Sequence, residues 1–306
     1  MDIAKVPKDM TQDFYERDKR YVQEYLANKN NYDSTLGRIN VFIPEFWNDS
    51  LIDESQPLLI QKVVYNREAD HRSFYIIEQE AKRYGMTLED IYGSINEAGF
   101  RSQPFYDIGP GKRILFAGCS VTFGHGLPEE YIWPKIVYNE IAKHESVAGY
   151  YNIAKVGASR IEILLLINDY IRVYGVPDII LINMPDSQRD FIDDEGFHNT
   201  KVSLAARALY ELTRDLVHEK GGTLLSCSWS SEDMLYNSEE TPSSLASLST
   251  HIQFTNNDFL EHLFDFTESN PNHPLKEYVH KSMDLAHPGL AEHSFYAKLF
   301  LQSLDM

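Results

Sequence analysis

After residue 110 the chain carries four short apolar runs, each followed by a longer stretch with apolar residues at helical spacing. Residues 113–118 (RILFAG) read as a buried strand. Residues 128–144 read as a helix with Ile132, Trp133, Ile136, Val137 and Ile141 along one side. A second strand is expected over 150–154 and a second helix over 160–174; Pro177 then leads into a third strand, 178–183 (DIILIN). Residues 201–220 form a long helical pattern stopped by Gly221 and Gly222, 223–229 a fourth strand, and 290–304 a closing helix. Strands alternating with helices imply parallel pairing through right-handed crossovers, with helices on both faces. The expected class is therefore α/β, a three-layer α/β/α sandwich around a mainly parallel sheet. Reactive groups on such sheets gather at the carboxyl ends of the strands.

Before residue 110 no such alternation exists. Residues 10–27 predict one amphipathic helix with Phe14, Tyr21, Val22 and Tyr25 on a face, ended by the turn-rich 28–33. Two further helices, 72–84 and 87–95, are expected either side of Gly85, the second capped by Thr87 with Glu89 and Asp90 in its first turn. The division expected is an accessory, partly helical region over 1–93, with room for a protein partner, and an α/β unit over 94–306.

Composition narrows the partners. The 306 residues are 43% hydrophobic and 24% charged, as in a globular protein. Lys plus Arg is 28 against Asp plus Glu 46, a formal charge of −18 that disfavours nucleic acid and anionic lipid. A membrane span needs about 20 apolar residues; the best run, 161–173, contains Glu162, Asn168, Asp169 and Arg172, so no span is expected. The opening MDIAKVPKDM lacks the apolar core of a secretory signal, which points to a cytoplasmic protein. Cys119 and Cys227 lie in apolar, strand-like context and read as buried, reduced thiols.

Two places carry candidate chemistry. The first strand ends in Gly118-Cys119-Ser120-Val121-Thr122, followed by Gly124-His125-Gly126. A serine at a tight turn past a buried strand exposes its hydroxyl at the sheet edge, beside backbone N–H groups able to hold an oxyanion. A phosphate-binding loop is excluded, because five residues separate Gly118 from Gly124 and His125 follows. A nucleophile elbow is excluded because Thr122 stands where glycine is needed. The second place is Asp284-Leu-Ala-His287-Pro-Gly289. On one helical turn, Asp284 would reach the His287 Nδ1–H and leave Nε2 outward as a base. His273, His280, His287 and His293 are spaced by seven, seven and six residues, which matches no metal-ligand rhythm.

Together these elements resemble the SGNH (GDSL-like) hydrolase family, from about Ser94 to the C-terminus. The segment Asn96-Glu-Ala-Gly-Phe-Arg101 is similar to one preceding the first strand in some members. Gly118-Cys119-Ser120 with Thr122, Phe123, Gly124 and Trp133 looks like the first family block, Asn152-Ile-Ala-Lys-Val-Gly157 like the second, and Asp284-x-x-His287-Pro-Gly with His293 like the last. The resemblance implies a flavodoxin-like fold and an esterase or O-deacylase that needs no cofactor or metal. Ser120 would be its nucleophile, His287 its base and Asp284 its acid. The oxyanion hole would use Ser120 and Gly157 N–H groups. It also implies an acyl-ester substrate, an O-acetylated carbohydrate among those its members take.

Two departures stand out. Cys119 replaces the usual aspartate, and consecutive residues at such a turn point apart, so its thiol should pack against the sheet. After the third strand, Asn183-Met-Pro-Asp-Ser187-Gln188 replaces the family's Gly-x-Asn-Asp, whose Asn is the third oxyanion donor. By position Ser187 takes its place, with Gln188 and Asn183 as alternatives. The rival reading is a binding or structural protein that kept the fold with weakened activity. Similar sequences with a Gly-Cys-Ser block occur in tailed-phage proteins, so the rival would be a virion component.

Overall fold

The computed structural model of the chain describes residues 16–27 (18 and 25 excepted), 68–185 (94 and 97 excepted), 200–229 and 250–306. Its centre is a five-stranded sheet of β1 (Lys112–Gly118), β2 (Val147–Asn152), β3 (Ile179–Met184), β4 (Thr223–Ser228) and β5 (His251–Ile252). The order is β2-β1-β3-β4-β5 and every pairing is parallel. Parallel neighbours require crossovers. These are α4 (Trp133–His144) between β1 and β2, α5 (Arg160–Tyr174) between β2 and β3, and α6 (Thr200–Glu219) between β3 and β4.

Successive strand residues point to opposite faces, and both faces are apolar, so these strands are covered on both sides. Leu115, Ala117, Ile180, Ile182 and Leu224 pack beneath α5 and α6. Ile114, Phe116, Ile179, Leu181 and Cys227 pack against α4 and the closing helix, α8 (Leu290–Ser303), which follows α7 (Asn256–Ser269). The three-layer α/β/α sandwich is thus present. Cys119 and Cys227 are both buried thiols outside any disulfide, on the α4–α8 face, where burial pushes the Cys227 thiol up.

Two expectations need correction. The pattern over 128–144 is not one helix: a 3-10 turn, Glu129–Tyr131, precedes α4, and Ile132 between them is extended at ψ 144°. Pro134 is the cause, since in a continuous helix it would lack an N–H and clash with the preceding turn, whereas in the first turn of α4 it costs nothing. The strand β5 has no counterpart in the expected set.

Upstream, α1 (Glu68–Arg83) and α2 (Leu88–Tyr92) flank Gly85. Thr87 caps α2 reciprocally with Asp90. Phe74, Ile77 and Ala81 of α1 and Ile91 and Tyr92 of α2 share a core with Phe123, Leu127, Ile132, Tyr278, Met283 and Leu290. The described helical residues within 16–27 are pinned by the fully buried Glu80. Its carboxylate accepts from Arg17 and Arg83 at 2.7 Å each and from the Tyr21 and Tyr278 hydroxyls at 2.6 Å each. Glu277 takes a second contact from each arginine, at 3.2 and 3.1 Å. Buried charges are tolerable when paired and hydrogen-bonded in this way.

Candidate active site

In the order β2-β1-β3 the chain leaves β1 on one side and β3 on the other, so a crevice opens at their carboxyl ends. Ser120 sits there, the first residue of α3 (Ser120–Phe123) and two places past the end of β1. Gly118 is required by space: a Cβ would meet Thr122 Oγ1 at 1.9 Å and the Asn183 carbonyl at 2.8 Å. The Ser120 carbonyl accepts from the Gly124 and His125 amides at 3.0 and 3.1 Å, which closes the turn. The Asn152 amide ties it to β2 by donating to the Thr122 carbonyl at 3.2 Å.

The turn is also held from below by Arg101, fully buried. Its guanidinium donates to the carbonyls of Phe123, Gly124 and Leu127 at 3.1, 2.9 and 2.9 Å, and to that of Ile91. Asn96 shapes the segment that delivers it: its Oδ1 accepts the Ala98 and Phe100 amides and its Nδ2 donates to Gln103. The N-x-x-G-F-R segment is thus a support for the serine turn.

Asp284 and His287 are brought together, but on a non-helical turn rather than a helical one. Leu285 is left-handed at φ 62°, Lys281 bridges Pro288, and Ser282 N donates to the His287 carbonyl at 3.0 Å. This closed loop aims the carboxylate inward. Asp284 Oδ1 accepts from Ser282 Oγ (2.7 Å), Ala286 N (3.0 Å) and His287 N (2.9 Å), and Oδ2 accepts from His287 Nδ1 at 2.5 Å. Burial opposes ionisation of Asp284, yet the charge and hydrogen bond of His287, with His125 behind, hold it well below the usual carboxylate range. An ionised carboxylate only accepts, so the Nδ1 proton is fixed and Nε2 is left as the basic nitrogen.

His125 links the two halves. It follows the serine turn, its ring stands edge-on to His287 with centroids 5.1 Å apart, and Met283 N donates to the Gly126 carbonyl beside it at 3.0 Å. Burial first, then the neighbouring His287 and Arg101, push its pKa down to about 3, against the pull of Asp284. It is therefore neutral. Ser120 Oγ makes no hydrogen bond to His287 among the described residues; free active sites commonly show such bonds long or unmade.

Gly157 is exposed in the turn between β2 and α5, at φ 78° with open space around it. Ser187 and Gln188 lie outside the described residues. Asn183 lies on β3 between Gly118 and Cys227, fully buried, and among the described residues neither its Nδ2 nor its Oδ1 has a hydrogen-bond partner. His293 accepts the Trp133 amide at the start of α4 through Nδ1, at 3.1 Å, and is structural.

Among the described residues, the ligand atoms of His125, Asp284 and His287 lie within 4.8 Å of one another. Two ligands on one zinc ion, each about 2 Å from it, stand roughly 3.3 Å apart. Asp284 Oδ2 and His287 Nδ1 are at 2.5 Å, a proton-sharing distance. Sequence reasoning gave no role to Ser73 and His125, which lie against this pair, to Tyr92, which bonds His125, or to Arg101, which holds the serine turn; only the placement of His125 between two glycines beside the serine block hinted at one. Among the described residues, no helix is long and apolar enough to cross a membrane.

Neither a family model nor a curated protein matches the chain. Among solved structures, it is similar to the psychrotrophic esterase EstA from Pseudoalteromonas sp., at 14% identity over 63% of this chain and 97% of that one, with a TM-score of 0.41. It is also similar to an acetylxylan esterase from Geobacillus stearothermophilus, at 16% identity over 65% and 96%, with a TM-score of 0.40.

Proposed function

We propose that this protein is a serine ester hydrolase in which Ser120 is the nucleophile, His287 the base and Asp284 its orienting acid. The observation that carries this reading is the 2.5 Å bond from His287 Nδ1 to the buried Asp284, on a loop packed against the Ser120 turn. Ser120 Oγ attacks the ester carbonyl while its proton passes to His287 Nε2, and the imidazolium then protonates the departing alcohol. Water, deprotonated by the same nitrogen, releases the acyl group and restores Ser120. The negative oxygen of each tetrahedral intermediate accepts from the Ser120 and Gly157 N–H groups. Asn183 is favoured over Ser187 or Gln188 as third donor, because its buried amide has no partner among the described residues. An acyl ester of a carbohydrate is the substrate class that the family resemblance favours.

Incubation with a fluorophosphonate probe and a p-nitrophenyl ester series tests the reading. Covalent labelling and turnover are expected in the wild type and absent in Ser120→Ala, and Asn183→Leu should lower kcat by about 10²-fold or more with KM kept. No labelling and no turnover at high protein concentration would instead support a binding or structural role on a retained fold.

A further inference from the structure

The hydrogen bonds behind Asp284 extend beyond a Ser-His-Asp constellation. Asp284 Oδ2 faces a second hydroxyl, Ser73 Oγ of α1, at 3.3 Å. Ser73 Oγ lies 2.8 Å from His125 Nε2, and His125 Nδ1 lies 3.1 Å from the Tyr92 hydroxyl of α2. Proton counting selects one arrangement. A neutral imidazole has one N–H and one lone pair, and a serine hydroxyl has a single proton. If Tyr92 donates to Nδ1, then Nε2–H donates to Ser73 Oγ and the Ser73 proton is free for Asp284. In the opposite tautomer Ser73 would donate to His125 and turn its lone pairs on the carboxylate, a repulsive contact in a buried site.

From this geometry we infer that Tyr92, His125 and Ser73 form a one-way donor chain ending on Asp284, with Ser73 as a positioning residue that sets the basicity of the His287–Asp284 pair. The inference rests on the acid–base reading of that pair given above. Each donor on Oδ2 takes up part of the carboxylate charge, so an imidazolium formed beside it is stabilised less. The other titratable and charged groups near His287 are the neutral His125, the buried Arg101, and His293 from α8; none of them contacts Oδ2 of Asp284 among the described residues. The chain also reaches the serine turn, because the His125 amide is bonded to the Ser120 carbonyl. Residues upstream of the α/β sandwich thus complete the site.

The test reads the His287 titration twice in the intact protein: by NMR of the imidazole, and by the pH dependence of labelling with a fluorophosphonate. Ser73→Ala should raise both midpoints by about half a unit to one unit. Its labelling rate on the alkaline plateau should stay within about threefold of wild type, since the change lies in basicity rather than in the nucleophile. Ser73→Thr, which keeps a hydroxyl, should restore the wild-type midpoint. Tyr92→Phe, which frees the His125 tautomer, should shift it in the same direction by less. An unchanged midpoint in both Ser73→Ala and Tyr92→Phe, or a lowered plateau without a shift, would overturn the chain and leave Ser73 a packing residue. Should the wild type neither label nor turn over at any pH, the hydrolase reading fails, while the NMR midpoints still decide the donor chain.

Discussion

Replacing Asp284 by asparagine changes one oxygen into an amide group in a site where both oxygens are already committed. Oδ1 receives three donors, from Ser282, Ala286 and His287, so the asparagine carbonyl must occupy that place. Its NH2 then stands where Oδ2 was, against His287 Nδ1. Two donors cannot face each other, so Nδ1 gives up its proton and Nε2 takes it. The base is lost with the loop intact. A wrong-tautomer substitution of this kind costs about 10⁴ in kcat at neutral pH, or roughly 5 kcal/mol of transition-state stabilisation. Asp284→Ala would instead strand all five donors and lower stability by about 2–4 kcal/mol as well. The two variants are compared by p-nitrophenyl acetate turnover and by thermal unfolding followed by circular dichroism. A folded Asp284→Asn protein with kcat within tenfold of wild type would refute the assignment of Asp284 and His287.

Further expectations follow from the buried supports. Arg101→Met removes the donor shared by four carbonyls around the serine turn and should lower stability by about 3 kcal/mol, read as a fall in the urea midpoint; a loss under about 1 kcal/mol would show that the turn holds itself. Burial, with Arg101 and His287 nearby, holds the pKa of His293 down to about 3 in the folded protein, against about 6.5 when unfolded. Below pH 6.5 the unfolded chain therefore binds a proton that the folded chain does not. Stability then falls with pH by about 1.4 kcal/mol per unit until about pH 3. His293→Gln keeps an acceptor for the Trp133 amide without titrating, so the stability gap between wild type and variant should move in favour of the variant by that slope between pH 6 and 4, as measured by urea unfolding at each pH.

Strands β1 to β4 were legible as short, largely apolar runs between helical patterns, although β2 begins at Val147 rather than at the expected 150. The strand β5 was not, since two residues carry no periodicity. The break at Ile132 was hidden by an amphipathic pattern that runs through it, with Pro134 as its sole sign. The Asp284–His287 pairing follows from a spacing of three that a helix satisfies, and here a left-handed Leu285 satisfies it by another route. Ser73 and Tyr92 were beyond reach for a different reason. Hydroxyls are common, and what makes these two matter is that α1 folds over a loop some two hundred residues away, where Ser73 meets Asp284, while Tyr92 of α2 meets His125. Arg101 was visible within a motif, but its partners are main-chain carbonyls, which leave no trace in sequence.

The two buried thiols give this protein a built-in record of how it opens. Alkylation needs a thiolate in contact with reagent, and the native fold buries both Cys119, beside the serine, and Cys227, within the sheet. Each can react only from a conformation that exposes it, so its modification rate measures the population of that conformation. Cys119 reports loosening of the turn beside Ser120, while Cys227 waits for the strands themselves to part. A faster rate at Cys119 would mean that the crevice opens on its own, ahead of the sheet that supports it.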